Sequence, residues 1–328
     1  MKTAITYGFC LLMALCTACS RNEVDDVRFE VSVDNADQLK AGGNVTFRFS
    51  GNADYITFYS GTSGNNYANR QRTEADLQSL SMGCALKQQY NDSAYLNKEV
   101  IGIFLSTDFS GDYTAEALNK ATWIPLSGRE YNRLPVPCPV SASAVETAGE
   151  IDLAPFVSLG QPFYIAFQYN AAGRNTIPTA NGGGHYTNRP RVDITDLAMK
   201  KVTTDGETVE VTNAISEWAF RIVFQQSATR TNYQVNDTGL LFQPQKASVD
   251  ATTGKEPDEI VWMVSGQINP RTVEPDRGTA IKTIEAHLPS YTCSYPTAGT
   301  YNATFIATNA NLWNGKQEVR QLTITINP

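Results

Sequence analysis

The 328-residue chain has few groups that could do covalent chemistry. His185 and His287 are its only histidines, far apart in sequence, and neither stands in a recognisable motif. A serine hydrolase needs a nucleophile on a strained elbow beside a base, and no Gly-x-Ser-x-Gly occurs. A glycosidase needs two carboxylates facing across a cleft. Asp108, Asp112, Glu116 and Asp152 qualify by residue type but not by any pattern. Gly182 to Gly184 is followed by no Lys-Ser or Lys-Thr pair and by no helix start, so it is not a phosphate loop. Beyond the N-terminal stretch stand Cys84, Cys138 and Cys293. Three thiols cannot all pair with one another, and their spacing fits no zinc site; one disulfide and buried free thiols both remain open. We expect a body that is not an enzyme.

Non-covalent chemistry has better candidates. Sugar recognition uses exposed aromatic faces, which accept C–H groups, with amides and charges to pair the hydroxyls. Tyr67, Tyr186 and Trp313 lie in polar, turn-rich contexts, whereas Trp123, Trp218 and Trp262 sit in strand-like or apolar runs and read as core. Tyr186 falls in a Gly-, Asn- and Thr-rich stretch, 171–191, with His185, Asn188, Arg189 and Arg191 close by. Long connections of this kind in compact domains are usually functional or disordered. Asp108 and Asp112 bracket a Ser-Gly turn and could hold a structural calcium; the alternative is a solvated turn.

These residues must be positioned by strands. Period-two alternation, punctuated by Gly, Asn and Ser, runs through 28–33, 45–49, 55–59, 100–105, 162–169, 219–225, 239–243, 259–264, 300–308 and 319–326. Such runs predict antiparallel sheets with one wet face, hence sandwiches, and an all-β class. Helix signals are confined to 73–80, capped by Thr73, and 114–121, capped by Thr114. The net charge of −7, with no Lys/Arg cluster, excludes a nucleic-acid partner. A chain this long exceeds one hydrophobic core, so two domains are expected.

The N-terminal stretch reads as a targeting segment. Lys2 is followed by apolar chain from Ala4 to Leu15, too short to span a bilayer, and Thr17 and Ala18 are the small residues before Cys19. This arrangement resembles the lipobox of bacterial lipoproteins, although Cys16 stands where that family usually has Leu. The resemblance implies a signal peptide over 1–18, lipidation of Cys19 and a membrane partner through the lipid. The acidic tether over 19–27 is similar to the signal that sends Bacteroides-type lipoproteins to the outer face of the outer membrane.

The body carries two further resemblances. Residues 41–50 and 295–305 resemble the early and late strands of a polycystic-kidney-disease (PKD) type immunoglobulin-like module. About 230 residues separate them, which implies a discontinuous sandwich over 28–79 and 258–328. A galactose-binding-like jelly roll over 80–257 would then be inserted in it, and consecutive sandwiches are the rival arrangement. The order Ser106–Gly111, Ala121–Trp123, Gly149–Leu153 and Phe163–Tyr169 is similar to the jelly rolls of Bacteroides surface lipoproteins, of choice-of-anchor and cleaved-adhesin type. The whole mature chain resembles a surface-lipoprotein family catalogued as a domain of unknown function. That resemblance implies a non-catalytic glycan-binding lipoprotein accessory to an outer-membrane polysaccharide importer. An adhesion or fimbria-like module binding protein partners is the alternative, and a glycoside hydrolase the third.

Overall fold

A computed structural model describes residues 23–173, 189–212, 214–227, 230–244 and 256–328. Cys19, the expected lipidation site, and three of the loop candidates, His185, Tyr186 and Asn188, lie outside the described residues. The chain divides into two compact units, unit 1 formed by residues 1–73 with 273–328 and unit 2 by residues 74–272.

Unit 1 opens with β1 (Phe29–Val33), β2 (Asn44–Gly51) and β3 (Tyr55–Tyr59). The chain then passes through unit 2 as β4 (Leu77–Gln89), β5 (Ile101–Ser106), α1 (Ala115–Lys120), β6 (Ile124–Pro125), β7 (Val145–Asp152) and β8 (Tyr164–Ala171). There follow β9 (Arg191–Thr203), β10 (Thr208–Thr212), β11 (Arg221–Gln226), β12 (Tyr233–Asn236), β13 (Gly239–Phe242) and β14 (Glu259–Val264). It returns to unit 1 as β15 (Thr279–Lys282), β16 (Ser290–Ser294), β17 (Gly299–Ala310) and β18 (Gly315–Ile326). The chain is all-β, its strands paired antiparallel, and α1 is the one α-helix among the described residues. No described helix is long and apolar enough to cross a membrane.

Unit 1 holds a three-stranded sheet, β1-β2-β16, and a four-stranded sheet, β15-β3-β17-β18. Alternation turns Val45 and Phe47 of β2, Ile56 and Phe58 of β3 and Phe305 of β17 into one buried cluster. The free edge of β1 is closed by side chains of β18: Glu318 accepts from the Phe29 amide, and Arg320 Nε donates to the Phe29 carbonyl. Charged residues that occupy a strand edge in this way discourage pairing with another chain.

Unit 2 is a sandwich of two larger sheets. One has the order β12-β13-β9-β4-β7, with β10 also paired to β9, and the other β11-β14-β8-β5-β6. Leu80, Met82 and Leu86 from the first sheet and Ile103, Ile165 and Phe167 from the second bury their side chains in one core. The outer face of the second sheet carries a further layer. Thr114 caps α1 by accepting from the Ala117 amide, and Leu118, Phe109 and Trp123 pack over Tyr164, Ala166, Trp262 and Val264.

Two expectations need correction. The 73–80 segment is not a helix: Leu77 starts the 13-residue strand β4, because Leu80, Met82, Cys84 and Leu86 fill the core between the sheets. Burial against partners overrides the helix propensity of its Leu, Met and Ala residues. The unit boundaries fall at 73/74 and 272/273, not at 79/80 and 257/258. Strand β14 pairs with β8 and β11 and so belongs to unit 2.

Candidate functional site

The helical layer over the second sheet of unit 2 stops short and leaves part of the outer face open. Trp262 on β14 stands opposite Gln168 on β8, and Gln168 opposite Gly102 on β5, so one row of side chains crosses the sheet. Trp262 belongs to the covered side: its indole N–H donates to Gln225 Oε1 at 2.8 Å, and Gln225 Nε2 donates to Asn119 Oδ1 at 2.7 Å. Beyond it, Gly102, Phe104, Gln168 and Asn170 line a groove of about 560 Å³, with Lys98 and Glu99 at its rim.

The strand period explains why these residues face outward. Phe167 and Tyr169 point into the core, so Gln168 and Asn170 take the opposite face. Neither carboxamide has a hydrogen-bond partner among the described residues, whereas Glu99 is held at 3.4 Å by Arg129. Gly102 makes room for an aromatic ring. A Cβ on it would lie 2.7 Å from Phe104 Cε2, so the Phe104 ring occupies the space above this strand. The opposite side of the Phe104 neighbourhood is the Trp262 ring, at 5.4 Å between centroids. Gly102→Ala is therefore expected to push the ring aside and to cost about 1–3 kcal/mol by overpacking. Chemical denaturation checks this, and an unchanged midpoint would show that the ring is not held there.

The arrangement suits a neutral, hydroxyl-rich ligand. Each carboxamide can donate and accept at once, and the aromatic edge supplies apolar area beside them. Ala171 and Ala172, at the start of the 171–191 connection, line the end of the groove. The sheet-face amides were not among the residues singled out by sequence. The available signal was Gly102, a glycine inside a strand run, which often marks a close approach of other groups.

The residues singled out by sequence are dispersed. Arg189 is enclosed, not presented to solvent: its side chain is 1% exposed and its Nη1 lies 2.7 Å from Glu259 Oε2. Arg191 is clamped by Asp193, with Nη2 to Oδ1 at 2.5 Å and Nε to Oδ2 at 2.8 Å. That pairing raises the guanidinium pKa further and leaves it little capacity for a ligand. Tyr67 is in unit 1, stacked under the Arg70 guanidinium at 3.9 Å and edge-on to Tyr59. Trp313 is exposed on the β17–β18 turn of unit 1. Trp218 and Trp262 are buried, and Trp123 packs against the cluster under α1.

At the pair expected to hold calcium, Asp108 and Asp112, one carboxylate oxygen is already engaged within the chain. Asp108 Oδ1 accepts from Ser106 Oγ and from the Thr122 amide, both at 2.8 Å, and the Thr122 bond leads in lowering its pKa. The carboxylate thus latches the 106–122 segment. No group of three or more His, Cys, Asp or Glu able to hold a metal occurs among the described residues. Cys84, Cys138 and Cys293 are all free thiols. Burial pushes the Cys84 thiol up to about 12 and the Cys293 thiol up to about 11, which keeps both protonated and unreactive.

Fold and groove together define an all-β protein of two sandwich units, with an open, amide-lined sheet face on the larger. The chain belongs to the family described as a domain of unknown function (DUF5017), which matches residues 18–218. That match includes Gly102, Phe104, Gln168 and Asn170 and ends at Trp218, before β11 and β14 complete the second sheet. No curated protein matches the chain.

Proposed function

We propose that this chain is an outer-membrane lipoprotein, acylated on Cys19 and facing the cell exterior, that binds an extracellular glycan as an accessory to polysaccharide uptake. The observation that carries the binding reading is the groove on β5 and β8, lined by Phe104 and by two carboxamides, Gln168 and Asn170, that have no hydrogen-bond partner among the described residues. Glu99 is the one carboxylate among its described lining residues, whereas acid–base hydrolysis of a glycoside uses two, which favours binding over cleavage. In this reading unit 1 is the PKD-like sandwich that stands nearest the anchor in sequence, and unit 2 is the jelly roll that presents the ligand face. The anchor rests on the Thr17-Ala18-Cys19 pattern after an apolar stretch. The surface orientation rests on the acidic tether that follows.

The test is retardation of the protein in native gels cast with a panel of polysaccharides, followed by titration of the best ligand. Each carboxamide contributes about 1 kcal/mol if it pairs a hydroxyl, so Gln168→Ala with Asn170→Ala is expected to weaken binding about 30-fold. Retardation that survives the double substitution would remove the groove from the proposal. No retardation by any polysaccharide would turn the reading to an adhesion module that binds proteins.

A further inference from the structure

Four exposed apolar side chains of unit 1 gather at one end of its four-stranded sheet. Leu312 and Trp313, 85% and 64% exposed, form the apex of the turn between β17 and β18. Tyr55, which begins β3, stands opposite Thr308 of β17 and is 38% exposed. Ile284 follows the end of β15, whose Lys282 pairs with Ile56, and is 56% exposed. Val319 is the remaining exposed large apolar residue described in unit 1, and it lies mid-strand opposite Ile306. The clustering is thus not the even scatter that an ordinary surface shows. Asn311 Oδ1 accepts from the Trp313 and Asn314 amides, so the turn that lifts Trp313 is held by its own side chain.

The N-terminal segment arrives at this same rim. Asn309 Nδ2 donates to the Asp25 carbonyl at 3.3 Å, Asn309 Oδ1 accepts from the Asp54 amide at 2.9 Å, and Lys316 pairs with Asp26 at 2.7 Å. Asp25 is six positions after Cys19, a span of at most about 20 Å of extended chain. A lipid on Cys19 would therefore hold the rim within reach of a bilayer. Tryptophan and tyrosine favour the lipid–water interface, because the ring is apolar and its polar handle stays wet.

We infer that this rim, with Leu312 and Trp313 at its apex, rests in the lipid–water interface as a second contact beside the anchor. Glu23, Asp25, Asp26 and Asp54 outnumber Lys282 and Lys316 along it, so the matching surface is a zwitterionic lipid and not an anionic one. The inference uses the anchor reading to place the membrane, and it is tested without relying on acylation.

For the test, the chain from Ser20, which retains every described residue, carries an N-terminal hexahistidine tag. It is held on phosphatidylcholine vesicles containing a nickel-chelating lipid. Bromine placed on the acyl chains near the headgroup quenches a tryptophan that enters the interface. The expected result is a loss of fluorescence on the scale of one tryptophan's share among the four, absent in Trp313→Ala. Leu312→Ala with Trp313→Ala should keep the unfolding midpoint, since both side chains are exposed. Equal quenching in parent and variant, or none in either, would overturn the inference. So would concentration-dependent dimerisation that the double substitution abolishes, which would assign the rim to a second copy. Mass spectrometry of the chain expressed with its leader tests acylation separately.

Discussion

Glu259→Leu is expected to destabilise unit 2 by about 3–5 kcal/mol, the scale of breaking a buried ion pair by removing one partner. For a unit of this size that loss lowers the melting temperature by roughly 6–20 °C. The physical reason is the number of groups that converge on one carboxylate. Arg189 Nη1 donates to Oε2 at 2.7 Å, the Tyr233 hydroxyl donates to Oε1 at 2.5 Å, and Ser227 Oγ donates to Oε1 as well. The Arg189 and Glu259 side chains are each 1% exposed. Leucine leaves the guanidinium charge in the interior with only the Pro257 carbonyl as a hydrogen-bond acceptor among the described residues. Burial, with Glu259 beside it, already holds the Tyr233 phenol pKa far above its ordinary range, so that hydroxyl stays a donor throughout. The double variant Arg189→Met with Glu259→Leu removes the stranded charge and should recover most of the loss. Calorimetry on the parent and the two variants decides. A double variant no more stable than Glu259→Leu would show that lost packing, not an uncompensated charge, sets the cost.

The same pair bears on the groove. Glu259 stands opposite Ala171 in the β14–β8 register, and Arg189 lies two residues before β9. One residue of the pair thus sits beside the start of the 171–191 connection and the other at its end. The Tyr169 hydroxyl adds a bond to the Pro190 carbonyl at 2.9 Å. Both stems of that connection are consequently tied to the sheet that carries Gln168 and Asn170, which is the kind of rigid support that a preorganised binding face requires.

The strands were legible where β-branched and aromatic runs are bounded by turn residues. Tyr55–Tyr59, Glu259–Val264 and the two long strands after Gly299 are rich in β-branched and aromatic residues, and each appears in the structure. Strand β9 was not foreseen, because Asp196 adopts a left-handed conformation at a bulge. The inward set then jumps from Val192 and Ile194 to Leu197 and Met199, which breaks the period. Strand β4 was misread because its register also shifts, between Leu77 and Ser79 and between Gly83 and Ala85. Thr114 and α1 were legible from the cap and a short helical run. The candidate site was not. Gln168 and Asn170 look like the ordinary wet positions of a half-buried strand. Only the three-dimensional arrangement shows that the layer around α1 covers Trp262 and ends before them. Arg189 was singled out for its place on a polar loop, and a residue's burial by a distant partner such as Glu259 leaves no local trace in sequence.

In unit 1 the largest single effect is expected from Phe305→Ala, a loss of about 3–5 kcal/mol, the range for a large aromatic removed from a core. Phe305 is fully buried, and its ring lies 5.0 Å from Phe47, 5.3 Å from Phe49 and 4.9 Å from Phe58 between centroids. Phe47 and Phe49 come from the three-stranded sheet, whereas Phe58 is its cross-strand partner in the four-stranded one. The ring therefore joins both sheets, and alanine would leave a cavity bordered by four phenylalanines, with Phe29 at 6.3 Å as the fourth. Phe305→Leu should cost less, because the leucine side chain fills part of that volume. None of these rings belongs to the core of unit 2. Calorimetry of Phe305→Ala should accordingly show one transition moved to lower temperature and a second, the one that Glu259→Leu moves, left in place. A single transition shifted by both substitutions would mean that the two cores unfold as one cooperative body. The discontinuous unit 1 would then owe its stability to the whole chain and not to the ring cluster that closes its two sheets.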